Sequence, residues 1–242
     1  MILKMAKNLS LKELSIVIPI YNEEKNIRKL WAKLRKNLKL KKFEIIYIDD
    51  NSSDNSKKIL NEIKKKDKKI KYYIRKSSPK DLSKSCILGF QKSRYKNILV
   101  MDGDLQHDPK YIQVMINKFN TTSSDIVVGC RDFLTKKIEG LNFLRILASL
   151  ILIFIINTAL GKKTSDPMSG FFLFKKKLFI KSKKKFFKKG YKILADIIYN
   201  NKKDIIISDI KINFKKRIYG KSKINTKILF YLIIFIFNRF KL

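Results

Sequence analysis

Asn97–Pro109 reads NILVMDGDLQHDP. The apolar run NILVM has the length and composition of a buried strand, and it delivers Asp102-Gly103-Asp104 to one loop. Alternation along an extended chain can aim Asp102 and Asp104 the same way. Two carboxylates so close repel, and one would be held protonated unless a cation neutralises them. A hard divalent cation with oxygen ligands removes that conflict and keeps positions open for phosphate oxygens, the chemistry of Mg2+ or Mn2+. Gln106 or His107 can add a ligand or support one. The plainer alternative is an acidic turn in which Asp108 caps a helix whose first residue is Pro109.

The same arrangement recurs upstream. Leu14–Pro19 (LSIVIP) is an apolar strand that runs into Pro19–Glu24 (PIYNEE), and Phe43–Ile48 (FEIIYI) runs into Ile48–Asp54 (IDDNSSD). Between them Glu23–Leu38 places Ile27, Leu30, Trp31, Leu34 and Leu38 at helical spacing. Ser53–Ile63 does the same with Ile59, Leu60 and Ile63, and Leu82–Ser93 is a third helix. Ile70–Ile74 and Asp125–Gly129 (DIVVG) add strands. Strands alternating with helices predict an α/β fold, a parallel sheet covered on both faces that binds ligands outside the carboxyl ends of its strands. Three acidic loops fall at those ends. Tyr21 can stack on a base, and Asn22, Glu23, Asp49 or Asp50 can bond base or ribose edges. Singly, an N-cap at Asn22 and an Asx turn at Asp49–Asp54 explain those residues equally well. Neither a Gly-x-Gly-x-x-Gly nor a Gly-x-x-x-x-Gly-Lys-Ser/Thr loop is present, which argues against a dinucleotide fold and a P-loop.

The 242 residues suit one α/β domain with an appendage, and 45% hydrophobic residues supply a core. The formal charge of +36 suits an anionic partner, and anionic lipid fits better than nucleic acid, which leaves the acidic loops unexplained. Part of the excess is compositional, since lysine is spread along the whole chain. Cys86 and Cys130 have no metal-ligand spacing and read as free thiols of a reducing compartment. The opening MILKMAKNLSLKELS has no apolar run of signal-peptide length, so the expected location is the cytoplasmic face of a membrane. Leu141–Leu160 is strongly apolar with Arg145 near its start, but its uninterrupted part falls short of the roughly 20 residues of a spanning helix. Ile228–Phe237 is shorter still and has basic flanks. Both are expected to lie in the headgroup layer, with a short span or a buried helix as the other readings.

The series PIYNEE, IDDNSSD, MDGDLQHDP, VVGCRD, SDPMSGFF and RIYGKSK resembles the inverting family 2 glycosyltransferases, and within them the dolichyl- or polyprenyl-phosphate sugar synthases. The resemblance runs from about Ser15 to Lys223. It implies a GT-A fold, a Rossmann-like, mixed and mostly parallel sheet with helices on both faces, plus an apolar interface helix and an apolar C-terminal helix. Residues 1–134 would be the nucleotide-sugar half, 135–225 the acceptor half with the interface helix at 141–160, and 226–242 a membrane-associated segment. By resemblance Pro19, Tyr21, Glu23 and Asp50 match the nucleotide-binding loops, with Asp81 and Lys84 of SPKDLSKSCILG beside them. Asp102, Asp104 and Gln106 match the metal and diphosphate site. Arg131 and Arg217 match basic residues near the diphosphate and the acceptor phosphate. Arg145 and Ser149 match the lipid-phosphate site, and Lys223 joins them, a solvated lysine being its plain alternative. Asp166 stands where the family keeps an acidic residue. Phe172 stands where many members carry arginine, a departure that removes one basic group.

The resemblance implies transfer of mannose or glucose from GDP-mannose or UDP-glucose to a polyprenyl phosphate, with inversion and with Mg2+ or Mn2+. A phosphate acceptor is already an anionic nucleophile and requires no protein base. A saccharide acceptor, as in envelope polysaccharide assembly, would require one, and Asp166 is the first candidate. A basic binding protein without catalysis is the reading from another class. It would bind DNA with steep salt dependence.

Overall fold

A computed structural model describes residues 10–131, 143–161, 163–186, 193–203 and 205–219. Strands β1 (Glu13–Ile20), β2 (Lys42–Asp49), β3 (Ile70–Ile74) and β4 (Asn97–Val100) alternate with helices α1 (Glu24–Asn37), α2 (Ser56–Lys66) and α3 (Leu82–Lys92). There follow α4 (Tyr111–Thr121), β5 (Ile126–Arg131), α5 (Phe143–Leu160), β6 (Phe172–Lys175), α6 (Lys176–Ser182), α7 (Ile193–Asn201) and β7 (Ile207–Ile212). All seven strands form one sheet in the order β3-β2-β1-β4-β6-β5-β7. The neighbours β3-β2-β1-β4 are parallel, as are β5 and β7, while β6 runs antiparallel to β4 and to β5. The sheet is therefore mixed and mostly parallel, as expected. The two halves of the chain are joined within it, because β6 enters between β4 and β5.

Alternation divides the core. Ile16, Ile18 and Ile20 of β1 face Ile27, Leu30 and Leu34 of α1, Leu60 and Ile63 of α2, and Ile112 and Met115 of α4. Val17 and the even side of β2 face Phe90 of α3, Ile156 and Leu160 of α5, Leu178 and Phe179 of α6, and Ile197 of α7. In α1 the buried positions fall at the spacing that periodicity gives, and each fully buried leucine contributes about 1.5–3 kcal/mol. Helix α1 ends at Leu38, which turns extended while its N–H still bonds the Leu34 carbonyl.

Two expected helix starts move, for local reasons. Ser53 belongs to a loop, with its N–H bonded to Asn22 Oδ1 at 2.9 Å, and α2 begins at Ser56, whose N–H is taken by Asp54 at 3.0 Å. Asp108 caps a separate turn by accepting the Lys110 N–H at 3.1 Å, and α4 begins at Tyr111 rather than Pro109. Strands β6 and β7 and helices α6 and α7 were not anticipated. The apolar stretch forms α5 from Phe143. Its Ile156 and Leu160 are buried, whereas Leu150, Ile151, Ile155 and Phe154, the last 68% exposed, point away from the core. Among the described residues no helix is long and apolar enough to cross a membrane. The expected C-terminal helix at 228–237 lies outside the described residues.

Candidate functional site

The carboxyl ends of β1, β2 and β4 lie side by side. Ile20 pairs with Asp49 across β1 and β2, Val17 pairs with Val100 across β1 and β4, and the Met101 N–H bonds the Val17 carbonyl at 3.2 Å. The three acidic loops therefore sit at one edge of the sheet. Gly103 is obligatory between the aspartates, because a Cβ there would lie 2.6 Å from Ile20 Cγ2. Leu105 is buried with φ +66°, a left-handed conformation that a leucine adopts at a cost of about 1–2 kcal/mol. That turn lets Asp104 Oδ1 accept the Gln106 N–H at 3.0 Å.

The paired carboxylates differ in their surroundings. Asp104 is buried, and its Oδ2 accepts a hydrogen bond from Arg217 Nη2 at 2.6 Å. Asp102 has a side chain 33% exposed, and its carboxylate accepts no hydrogen bond from any described residue. Its desolvated position, then the charge of Asp104 and more weakly that of Glu23, push its proton affinity well above the usual carboxylate range, against the pull of Arg217 and Arg131. Gly170 explains how it is held: a Cβ at this glycine would stand 2.7 Å from Asp102 Oδ2 and 3.0 Å from Oδ1. The backbone of SDPMSGFF thus walls one side of the Asp102 carboxylate, a role of that motif which sequence reasoning missed.

The neighbours are structural supports. His107 is sandwiched between Phe171, 5.1 Å away and stacked, and Phe214, 5.4 Å away and edge-on. Burial holds its pKa down at about 4, so the ring is neutral and its Nδ1, 3.6 Å from Asp102 Oδ2, makes no ion pair. Gln106 spends its side chain on the segment after β7, donating to the Lys215 carbonyl at 3.1 Å and accepting from Arg217 at 3.3 Å. Among the described residues no group of three or more His, Cys, Asp and Glu could hold a metal. A cation here would rest on Asp102 and Asp104 and take its remaining ligands from phosphate and water. The raised proton affinity of Asp102, with no donor to relieve it, fits that use.

The upstream loops hold one another. Asn22, at φ +52°, accepts the Ser53 N–H and donates its own N–H to Ser52 Oγ at 2.8 Å, so it is a clamp between loops rather than an N-cap. Glu23 is buried and accepts from Asn26 Nδ2 at 2.6 Å. Asp49 accepts the Ser52 N–H at 2.9 Å, the Asx turn foreseen as its plain reading. Asp50 bonds the Asp81 N–H at 2.7 Å and pairs with the buried Arg75. Burial raises its proton affinity despite that arginine. Arg75, also unforeseen, ties down the following loop through the carbonyls of Ser77 at 2.7 Å and Pro79 at 2.9 Å. Asp81 caps α3 by accepting the Lys84 N–H at 3.0 Å. Tyr21 stays half-buried beside the end of β1, where Pro19 is buried, with Lys80 Nζ 3.7 Å from its ring centroid.

On the far side, Arg131 and Asp166 form a bidentate pair, Nε–Oδ2 2.7 Å and Nη2–Oδ1 2.9 Å. Asp166 is 0% exposed. Burial works against the arginine's charge, but Asp166 outweighs it and raises the guanidinium pKa. Both oxygens of Asp166, the first candidate base for a saccharide acceptor, are thus engaged in holding Arg131. Arg145 and Ser149 lie on the first turns of α5, where side chains fall outside the described residues, as does Lys223 entirely.

Comparison with known proteins shows the family and the fold. Residues 15–182 match the model of glycosyl transferase family 2. A dolichol-phosphate mannosyltransferase of Pyrococcus furiosus is 32% identical over 220 residues, 90% of this chain and 61% of the relative. One from Mycosarcoma maydis is 28% identical over 65% of this chain and 53% of its own length. The chain thus spans little more than half the length of these curated relatives. In structure it superposes on glucosyl-3-phosphoglycerate synthase of Mycobacterium tuberculosis, solved with Mn2+, UDP and phosphoglyceric acid, with TM-score 0.72 at 15% identity, covering 98% of this chain and 81% of the other. TarS 1–349 of S. aureus with UDP-GlcNAc gives 0.65 at 17% identity over 94% and 66%.

Proposed function

This chain belongs to glycosyl transferase family 2, and we propose that it transfers a hexose, mannose or glucose, from a nucleotide sugar to a polyprenyl or dolichyl phosphate, with inversion, at the cytoplasmic face of a membrane. The observation that carries the reading is the Asp102 carboxylate. It stands beside Asp104 at the carboxyl edge of the sheet and accepts no hydrogen bond from a described residue, and burial, followed by the charge of Asp104, raises its proton affinity. A bound Mg2+ or Mn2+ would screen the charge of the departing nucleoside diphosphate. Tyr21 and the Asn22–Ser53 and Asp50–Asp81 clamps shape the nucleotide end, and Arg217 brings a positive charge to the diphosphate.

The acceptor follows from proton accounting. Asp166 is locked on Arg131 and buried, so it is not placed to take a proton from a sugar hydroxyl. A lipid monophosphate needs no such base, because its own oxygen attacks the anomeric carbon opposite the leaving diphosphate. Two further facts support a lipid acceptor: the curated relatives are named dolichol-phosphate mannosyltransferases, and α5 exposes Leu150, Ile151, Phe154 and Ile155 on a chain of net charge +36. On this reading residues 1–134 serve the donor, 135–225 the acceptor, and 226–242 the membrane.

The test is incubation with vesicles carrying polyprenyl phosphate, Mg2+ or Mn2+, and labelled GDP-mannose or UDP-glucose. A labelled lipid is expected with one donor. If neither donor labels the lipid while either labels a saccharide acceptor, the acceptor class is wrong.

A further inference from the structure

The segment after β7 crosses the site as a strap. Phe214 packs edge-on against His107. The Lys215 N–H bonds the Gln106 carbonyl at 3.1 Å, and Lys215 Nζ bonds Asp108 at 2.7 Å. Tyr219 accepts a hydrogen bond from Lys29 Nζ of α1 at 2.9 Å, with the same ammonium 4.7 Å from its ring centroid. The strap is therefore fastened on both sides of Arg217, and the guanidinium is delivered to Asp104, with Gln106 Oε1 a second acceptor at 3.3 Å. Asp104 Oδ1 is held by the Gln106 N–H of its own loop at 3.0 Å, and Oδ2, the oxygen turned to the strap, is occupied by Arg217 Nη2 at 2.6 Å.

Resting on the metal reading above, we propose that Arg217 is the counter-cation of Asp104 and competes with the divalent ion for Oδ2. Two cations on one carboxylate oxygen repel, so an ion binding there displaces the guanidinium. A diphosphate arriving with the ion gives the displaced guanidinium a new anionic partner within reach of the same strap. Arg217 then opposes metal binding in the absence of nucleotide and favours it in the presence of nucleotide. The site takes metal and nucleoside diphosphate as a pair, and each tightens the other, as reciprocity of coupled binding requires.

The test is a titration of the full chain with Mn2+, read from the electron paramagnetic resonance of the free ion, with and without saturating GDP or UDP. Without nucleotide, R217A is expected to bind Mn2+ about tenfold tighter than the wild type, the ratio for loss of one partly buried charge-assisted bond. R217K, which keeps the charge, should stay close to the wild type. With nucleotide the order reverses, and R217A binds the ion more weakly. In a D104N background the R217A effect disappears. Circular dichroism checks that each variant is folded. Unchanged or weaker Mn2+ binding by R217A without nucleotide overturns the proposal, provided that binding still depends on Asp102 and Asp104. If D102N and D104N bind Mn2+ as the wild type does, both the proposal and the metal reading fall.

Discussion

Replacing Gly170 by alanine would set a methyl carbon 2.7 Å from Asp102 Oδ2, 3.0 Å from Oδ1 and 3.1 Å from Cγ. Ordinary contact needs a few tenths of an ångström more from each, so the carboxylate must swing away by roughly 0.5–1 Å. A misplacement of about 1 Å near the reacting groups lowers rate by about 100-fold. The fold should not notice. The displaced group is the free end of a side chain one-third exposed. The glycine does not need a left-handed backbone, and alanine offsets part of any strain by about 0.4–1 kcal/mol through the unfolded chain. The net change in stability should be within about 1 kcal/mol, or roughly 2–4 °C in Tm. Steady-state kcat/KM for sugar transfer, Mn2+ affinity and a thermal melt would be measured on the same preparation. The expected result is a fall of about two orders of magnitude in kcat/KM, weakened Mn2+ binding and a Tm close to wild type. Retention of rate within a few-fold would refute the argument that the wall at Gly170 positions Asp102.

Asp166→Asn breaks a pair whose aspartate is fully buried and whose arginine is 17% exposed, and leaves Arg131 without its counter-charge, so stability should drop by about 3 kcal/mol. A thermal melt separates this from a base role, which would lose rate with Tm unchanged. Glu44→Gln should soften the acid limb of stability. Burial opposes ionisation of Glu44, but bonds from Lys71, Ser15 and the Arg94 N–H outweigh it and hold the carboxyl below its usual range. The unfolded chain therefore takes up the proton first as pH falls, and the stability this group gives above the ordinary carboxylate range is lost on acidification. Tm against pH from 7 to 3 should fall less steeply in the variant, from a starting point about 1–3 kcal/mol less stable. Phe154→Asp, on the exposed face of α5, should leave Tm unchanged and weaken sedimentation with anionic vesicles by at least about tenfold, the worth of one aromatic side chain moved out of the lipid boundary.

The parts of this molecule that could be read from its sequence are those whose causes are local. Strands β1 to β5 announce themselves by apolar runs, and the ends of β1, β2 and β4 by acidic turns, because hydrophobic periodicity and turn chemistry act within a few residues. The paired strand-end aspartates were legible for that reason. Strand β6 was not, since Phe172–Lys175 is four residues long and runs on into the lysines of α6. Nor was β7, whose Ile207, Ile210 and Ile212 are spaced by Ser208, Asp209 and Lys211 in a region dense with lysine. Each is fixed by partners far along the chain, Val100 with Phe172 and Arg131 with Ile212. The site divides the same way. Asp102 and Asp104 are set by one tripeptide, but what each carboxylate can do is set by Arg217, 113 residues beyond Asp104, and by the glycine wall of a loop that closes only when β6 inserts beside β4. Asp166 shows the consequence. Its residue type allows a base, and only the fold discloses that Arg131 holds both of its oxygens.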